Sequence, residues 1–183
     1  MSDAALLEHI GKLPHARASF KQLVRELNAH GDAREALEDS LDRLTDRGDL
    51  VELKSGHFVA TQSSREYVAG RLNLHRDGYG FVIPDKPVAG IQGDIYIPRD
   101  SARKAMHADR VVAHILRIEK DGRADGEILR VLRRAHPSVV GEFRIGRHGN
   151  FVIPHDERLH QWIEIAGGME MPAAAENRDR VGA

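Results

Sequence analysis

A four-residue string occurs twice in this chain. Phe81, Val82, Ile83 and Pro84 recur as Phe151, Val152, Ile153 and Pro154, an offset of 70 residues. A second match lies at the same offset, Asp109, Arg110, Val111 and Ala113 against Asp179, Arg180, Val181 and Ala183. Two independent matches at one spacing argue for a duplicated structural unit. The second copy is entered near Val139, where Val140, Gly141 and Glu142 echo Ala69 and Gly70. With 183 residues the chain has room for two to three small domains.

The first copy reads as β structure. Candidate strands are Val68 to His75, Tyr79 to Pro84, Asp94 to Pro98, Val111 to Ile118 and Glu127 to Arg134. Turn residues separate them, and a short helix is expected around Ser101 to Met106. Five strands with a helix between the third and fourth suit an OB-type, oligonucleotide-binding barrel spanning residues 67–137. Residues 138–183 are then the start of a second, incomplete OB-type barrel. Because Ala183 is the counterpart of Ala113, the chain is expected to be the N-terminal piece of a longer protein.

Within the first copy, Gly78, Tyr79, Gly80, Phe81 and Val82 are followed by Ile95, Tyr96 and Ile97. Alternate residues of a strand share a face, so Tyr79 and Phe81 are expected to point the same way, with Tyr96 joining them from the neighbouring strand. Three rings on one sheet face make a stacking surface for unpaired bases; the alternative is that they are core. Glycine between the aromatics favours the open surface, since glycine fills strands poorly unless something approaches the backbone. In the second copy Gly149 stands at the Tyr79 position, and aligning Ile163, Glu164 and Ile165 on Ile95, Tyr96 and Ile97 puts Glu164 at Tyr96. That surface is largely dismantled, with Phe151 and Trp162 left for one contact.

Charge sharpens the location. Net charge is −1 overall, but residues 1–66 hold 9 basic and 12 acidic side chains, residues 67–137 hold 13 and 9, and residues 138–183 hold 5 and 7. The positive segment is the one with the aromatics, and local charge is what phosphates respond to. Arg71, Arg76, Arg99, Arg103 and Lys104 are the phosphate candidates, against the alternative of plain surface solubility. His75, before the turn into the platform strand, is a candidate for stacking or phosphate contact, or a strand-edge residue.

Residues 1–66 read as three helices and a hairpin, a winged helix-turn-helix. Ala5, Leu6, Ile10 and Leu13 recur at helical spacing up to Pro14. Ser19 with Gln22 forms a capping-box pattern for a second helix, and Asp32 with Glu35 a weaker one for a third, which ends near Gly48. Leu50 to Leu53 and His57 to Ala60 flank a glycine turn and form a two-stranded wing. In many such folds the third helix enters a DNA groove. Here it carries Arg34, Arg43 and Arg47 against Glu35, Glu38, Asp39, Asp42, Asp46 and Asp49, so a protein-contacting, regulatory or weakly RNA-contacting role is expected instead.

Zero cysteines exclude disulfides and thiolate metal sites and suit a reducing cytoplasm. No apolar run approaches the about 20 residues of a membrane helix, and no secretory signal is seen. The spacing of His148, His155 and His160 with Asp156 is not diagnostic of a metal, and the acidic pairs Glu38/Asp39 and Asp156/Glu157 read as solvated surface. No catalytic or metal-ligating residue is therefore assigned.

Taken in order, the winged helix, Val68 to Phe81 with its glycine and aromatic pattern, Asp109, Arg110 and Val111, and Val139 to Gly141 opening a second barrel resemble the N-terminal region of the ribonuclease R family, over residues 4–181. Cold-shock proteins share a similar pattern; where they carry a basic residue before the first glycine, this chain has Asp77, with Arg76 one place earlier. The resemblance implies α+β multidomain architecture and paired cold-shock barrels that gather single-stranded RNA. It implies service to a hydrolytic 3′–5′ exoribonuclease domain, absent from this chain, in which aspartates hold magnesium. It also implies a partner set: single-stranded RNA, a protein partner for the winged helix, no membrane, a monomer and no cofactor of the chain's own. Whether the chain is itself part of an enzyme stays open, and the competing class is a stand-alone nucleic-acid-binding regulator or RNA chaperone.

Overall fold

A computed structural model describes residues 2–136, 138–147, 149–159, 162–167 and 180–182. Helix α1 (Asp3–Lys12) is capped by Ser2, whose hydroxyl accepts the Ala5 N–H, and buries Leu6 and Ile10 one turn apart. Pro14 cannot continue a helix, and a single 3-10 turn leads into a strand, β1 (Arg17–Ser19), that hydrophobic periodicity does not announce. Ser19 then caps α2 (Phe20–Glu26) by accepting the Gln22 N–H at 3.2 Å. Only half of the expected capping box forms. Ser19 is also the last residue of β1, paired with His57, and the Gln22 amide donates to Glu26 instead.

Helix α3 (Asp32–Arg47) also departs from expectation at its start. The cap position is Gly31 at φ +55°, while Asp32 and Glu35 lie in the first turn, where negative charge suits the helix dipole. Leu37, Leu41 and Leu44 form the buried stripe, and Gly48 in the left-handed region ends the helix. Strands β2 (Leu50–Glu52) and β3 (His57–Ala60) pair Leu50 with Ala60. Because β1 pairs along the other edge of β3, the expected two-stranded wing is a three-stranded sheet in the order β1-β3-β2. Leu6, Ile10, Leu23, Leu41, Leu44 and Phe58 share one core with it.

The next five strands, β4 (Tyr67–Leu74), β5 (Gly80–Pro84), β6 (Ile95–Ile97), β7 (Arg110–Ile118) and β8 (Ala124–Arg133), close into a barrel in the order β4-β5-β6-β8-β7. Closure is antiparallel between β4 and β7 and parallel between β6 and β8. Helix α4 (Arg99–Ala102) precedes β7 but starts two residues before the expected Ser101, because Pro98 at φ −65° presets the first turn. Leu72, Val82, Ile95, Ile97, Val111 and Ile128 fill the interior. Gly70 is required where β4 crosses β5: a Cβ there would lie 2.4 Å from the Ile83 carbonyl oxygen.

Asp109 is fully buried just before β7. Its carboxylate accepts from the Met106 N–H (2.8 Å), the Ala135 N–H (2.9 Å) and Arg134 Nη1 (2.7 Å), and its own carbonyl accepts the Leu72 N–H (2.9 Å). The C-terminal end of α3 rests on the barrel: Arg110 donates to the Arg47 carbonyl at 2.6 Å, Arg130 pairs with Asp46 at 3.3 Å, and a Cβ on Gly48 would strike Leu132.

A further sheet contains β9 (Val140–Gly146), β10 (Gly149–Pro154), β11 (Ile163–Ile165) and β12 (Arg180–Gly182), in the order β11-β10-β9-β12. That is the barrel's order β6-β5-β4-β7. Register agrees as well: Gly141 faces Pro154 and Val181, as Gly70 faces Pro84 and Val111. A Cβ on Gly141 would lie 2.3 Å from the Ile153 oxygen, repeating the Gly70 crossing. The first strand of the copy is thus offset by 71 residues, not 70, and the turn that follows is one residue shorter. Asp179 and Ala183 of the second sequence match lie outside the described residues, as do His148 and His160. Replacing Asp109 with alanine is expected to lower stability by more than about 2 kcal/mol, the scale of losing bonds to a buried charge; urea unfolding of the full chain measures it.

Candidate nucleic-acid interface

Strand β5 begins at Gly80, so Tyr79 stands one residue outside the strand expected to hold it, at the end of a tight turn. Gly78 adopts φ +90° there, the His75 N–H donates to the Tyr79 carbonyl (2.8 Å), and the Gly78 N–H donates to the His75 carbonyl (2.9 Å). Phe81 and Tyr96 face one another across β5 and β6. The inward positions on these strands are Val82, Ile95 and Ile97, so the rings take the outer face; Tyr96 is 38% exposed, and Tyr79 and Phe81 are half-buried. They are not core.

The three rings touch. Tyr79 to Phe81 is 5.8 Å between centroids and edge-on, Tyr79 to Tyr96 is 5.9 Å and tilted by 42°, and Phe81 to Tyr96 is 5.8 Å. His75 stacks on Tyr79 at 4.5 Å and 11°. Its Nδ1 accepts the Asp77 N–H at 3.2 Å, which holds the imidazole in that orientation. The patch is a set of neighbouring, mutually tilted rings, and an exposed aromatic face of this kind can take a stacked base.

The five phosphate candidates divide. Arg71 and Arg76 are exposed and form no ion pair with a described carboxylate. Arg99 is engaged by the platform turn itself, donating through Nε (3.0 Å) and Nη2 to the Asp77 carbonyl. Arg103 lies 4.0 Å from Asp100, and Lys104 donates to the Ile128 carbonyl at 3.0 Å with Glu127 at 3.9 Å. Sequence reasoning passed over Arg117 and Arg123, which line the same groove as Phe81 and Tyr96. They flank Asp121 and Gly122, read from sequence only as a turn. Both are answered by carboxylates, Arg117 by Glu119 and Asp125 and Arg123 by Asp121, so that end of the groove is mixed in charge. His107 was also passed over: burial lowers its pKa, and its Nδ1 accepts the Leu74 N–H at 3.2 Å.

In the second sheet Glu164 faces Phe151 as Tyr96 faces Phe81, and Gly149 replaces Tyr79. One aromatic pair persists: Phe151 and Trp162 lie 5.9 Å apart, and Trp162 is 64% exposed.

No group of three or more His, Asp or Glu able to hold an ion occurs among the described residues. Asp156 accepts from Arg158 Nε (2.9 Å) and Nη2 (2.8 Å), and these bonds bring its pKa down to about 2. A carboxyl depressed in the fold stabilises it above the unfolded value near 3.8, and the contribution is lost as pH falls toward 2. A carboxyl NMR titration should find the Asp156 midpoint near 2, and Arg158→Gln should return it toward 4.

Fold and surface together define a protein with a closed five-stranded barrel that carries an aromatic outer face. The ribonuclease B OB domain matches residues 70–131, which are this barrel. The chain is 29% identical over 150 residues to ribonuclease R of Acidithiobacillus ferrooxidans, covering 82% of this chain and 33% of that protein. It is 32% identical over 155 residues to ribonuclease R of Escherichia coli, covering 84% and 18%. Among solved structures, Mycoplasma genitalium RNase R in complex with ribose-methylated single-stranded RNA superposes with a TM-score of 0.53 at 17% identity, covering 63% of this chain and 18% of that one. The chain belongs to the ribonuclease R family, as its N-terminal region, and spans a third or less of the length of these relatives.

Proposed function

We propose that this chain binds single-stranded RNA as the gathering region of a ribonuclease R-like hydrolytic 3′–5′ exoribonuclease. The observation that carries this reading is the contiguous Tyr79, Phe81 and Tyr96 surface on the outer face of the barrel, with His75 stacked behind it. Bases stack on these rings while Arg71 and Arg76 neutralise phosphates, with little discrimination among sequences. That the similar Mycoplasma structure is a complex with single-stranded RNA supports the choice of ligand.

In this reading residues 1–66 form a winged helix-turn-helix, residues 67–137 a cold-shock-like OB barrel, and residues 138–183 the start of a second one. The first unit does not read DNA: α3 is acidic and its C-terminal end is held against the barrel by Arg110 and Arg130, so it serves a protein contact or orients the barrel. In this reading hydrolysis and its magnesium belong to a catalytic domain outside this chain, as the ribonuclease R resemblance implies. No described helix is long and apolar enough to cross a membrane. As part of the same reading, the chain works in the cytoplasm as a monomer. The stand-alone regulator or RNA chaperone is the second reading; the same barrel surface serves it, and the family membership favours the nuclease.

Each stacked base is worth roughly 1–3 kcal/mol. The double variant Tyr79→Ala with Tyr96→Ala is therefore expected to weaken binding of a labelled single-stranded RNA more than tenfold by fluorescence anisotropy. Unchanged affinity in a folded double variant would overturn the reading.

A further inference from the structure

A second feature lies behind the aromatic surface. A cleft opens where the end of β4, the α4 region and the β8 exit of the barrel meet the loop between β10 and β11. Its floor is apolar, including Leu74 and Met106, and four cations from separate segments surround it: Arg103, Lys104, Arg134 and Arg158. Gly78, the neighbour of Tyr79, completes one wall. Among the described residues none of the lining side chains is a carboxylate; Asp100, Glu127, Asp109 and Asp156 approach Arg103, Lys104, Arg134 and Arg158 from outside the lining.

We propose that this cleft is a phosphate site that takes one backbone phosphate of an RNA strand whose bases lie on the Tyr79 surface. It rests on the single-strand RNA reading above and adds to it a particular anion subsite. The partners of the cations leave donors for a ligand. Arg134 uses Nη1 on the buried Asp109, and Arg158 uses Nε and Nη2 on Asp156. Lys104 gives one N–H to the Ile128 carbonyl and lies 3.9 Å from Glu127, so two of its three N–H donors remain for a ligand. A guanidinium has five N–H donors and an ammonium three, so Arg134, Arg158 and Lys104 retain the capacity to bind a tetrahedral anion. The apolar floor lowers the local dielectric and strengthens that attraction.

Position favours a nucleic-acid phosphate over a free anion. Gly78 is adjacent in sequence to Tyr79, so the cleft begins about 4 Å along the backbone from the platform, less than one nucleotide step. The cations also come from both sides of the junction: Arg103, Lys104 and Arg134 belong to the barrel segment, whereas Arg158 belongs to the loop of the second sheet. A phosphate held between them ties the two together.

The test compares the full chain with two variants, Lys104→Gln and the charge-neutral pair Asp156→Asn with Arg158→Gln, using oligouridylate and oligouridylates carrying a single neutral methylphosphonate linkage. For single strands the salt dependence of affinity changes by about 0.7 in logarithmic slope per phosphate contact. Each variant is expected to bind the unmodified strand about fivefold more weakly, with the slope flattened by about one contact, and one methylphosphonate position is expected to weaken the parent chain but not the variants. Arg158→Lys should retain most of the slope. Far-ultraviolet circular dichroism and thermal melting establish that the variants fold. Parent-like affinity and slope in both folded variants, with Tyr79→Ala/Tyr96→Ala still defective, would overturn the cleft and leave the RNA reading standing. No binding of the strand by the parent chain would overturn both.

Discussion

The barrel depends on one buried carboxylate. Asp109 is the charge that joins three stretches of chain otherwise far apart in sequence: its carbonyl holds β4 through Leu72, its Oδ2 holds the turn after α4 through Met106, and both oxygens hold the exit of β8 through Arg134 and Ala135. Taking a carboxylate out of water is costly unless its lone pairs are met by donors and a counter-charge. Here all three donors are supplied, two by backbone that the fold must place anyway. The residue therefore stabilises only one arrangement of these segments, the one in which β7 closes against β4 and the chain leaves β8 toward the second sheet.

Periodic and compositional signals carried most of the architecture. The five strands of the barrel fall within a few residues of where alternation and turn residues put them, and Gly70 and Gly141 occupy matching crossings because a Cβ at either would clash with a carbonyl oxygen of the neighbouring strand. What escaped was set by long-range pairing. Strand β1 is three residues long and has no pattern of its own; it exists because β3 offers an edge. Gly31 caps α3 through backbone conformation, which side-chain motifs do not report. The one-residue difference between the two turns, 75–79 and 146–149, was hidden because the matched strings both lie after it.

The site shows the same division. Phe81 and Tyr96 were legible because residue alternation on adjacent strands fixes a shared face, whereas Tyr79 reaches that face from the turn before β5. The fate of the cations was not, since a basic residue's partner is decided by which carbonyl or carboxylate the fold brings near. Arg99 illustrates this: it is one of the five phosphate candidates, yet it braces the platform turn by gripping the Asp77 carbonyl. Arg117, Arg123, Arg134 and Arg158 sit in turns and strand ends with no pattern to single them out; the closed barrel brings the first three beside the rings or the cleft, and the loop between β10 and β11 brings Arg158.

The stack of His75 on Tyr79 has a directional consequence. An aromatic ring has two faces, and one face of Tyr79 is already covered at 4.5 Å by a nearly parallel imidazole. Tyr79 is thus a terminus of a stack rather than a wedge. In the proposed complex Tyr79 therefore ends a run of stacked rings and is not wedged between two successive bases.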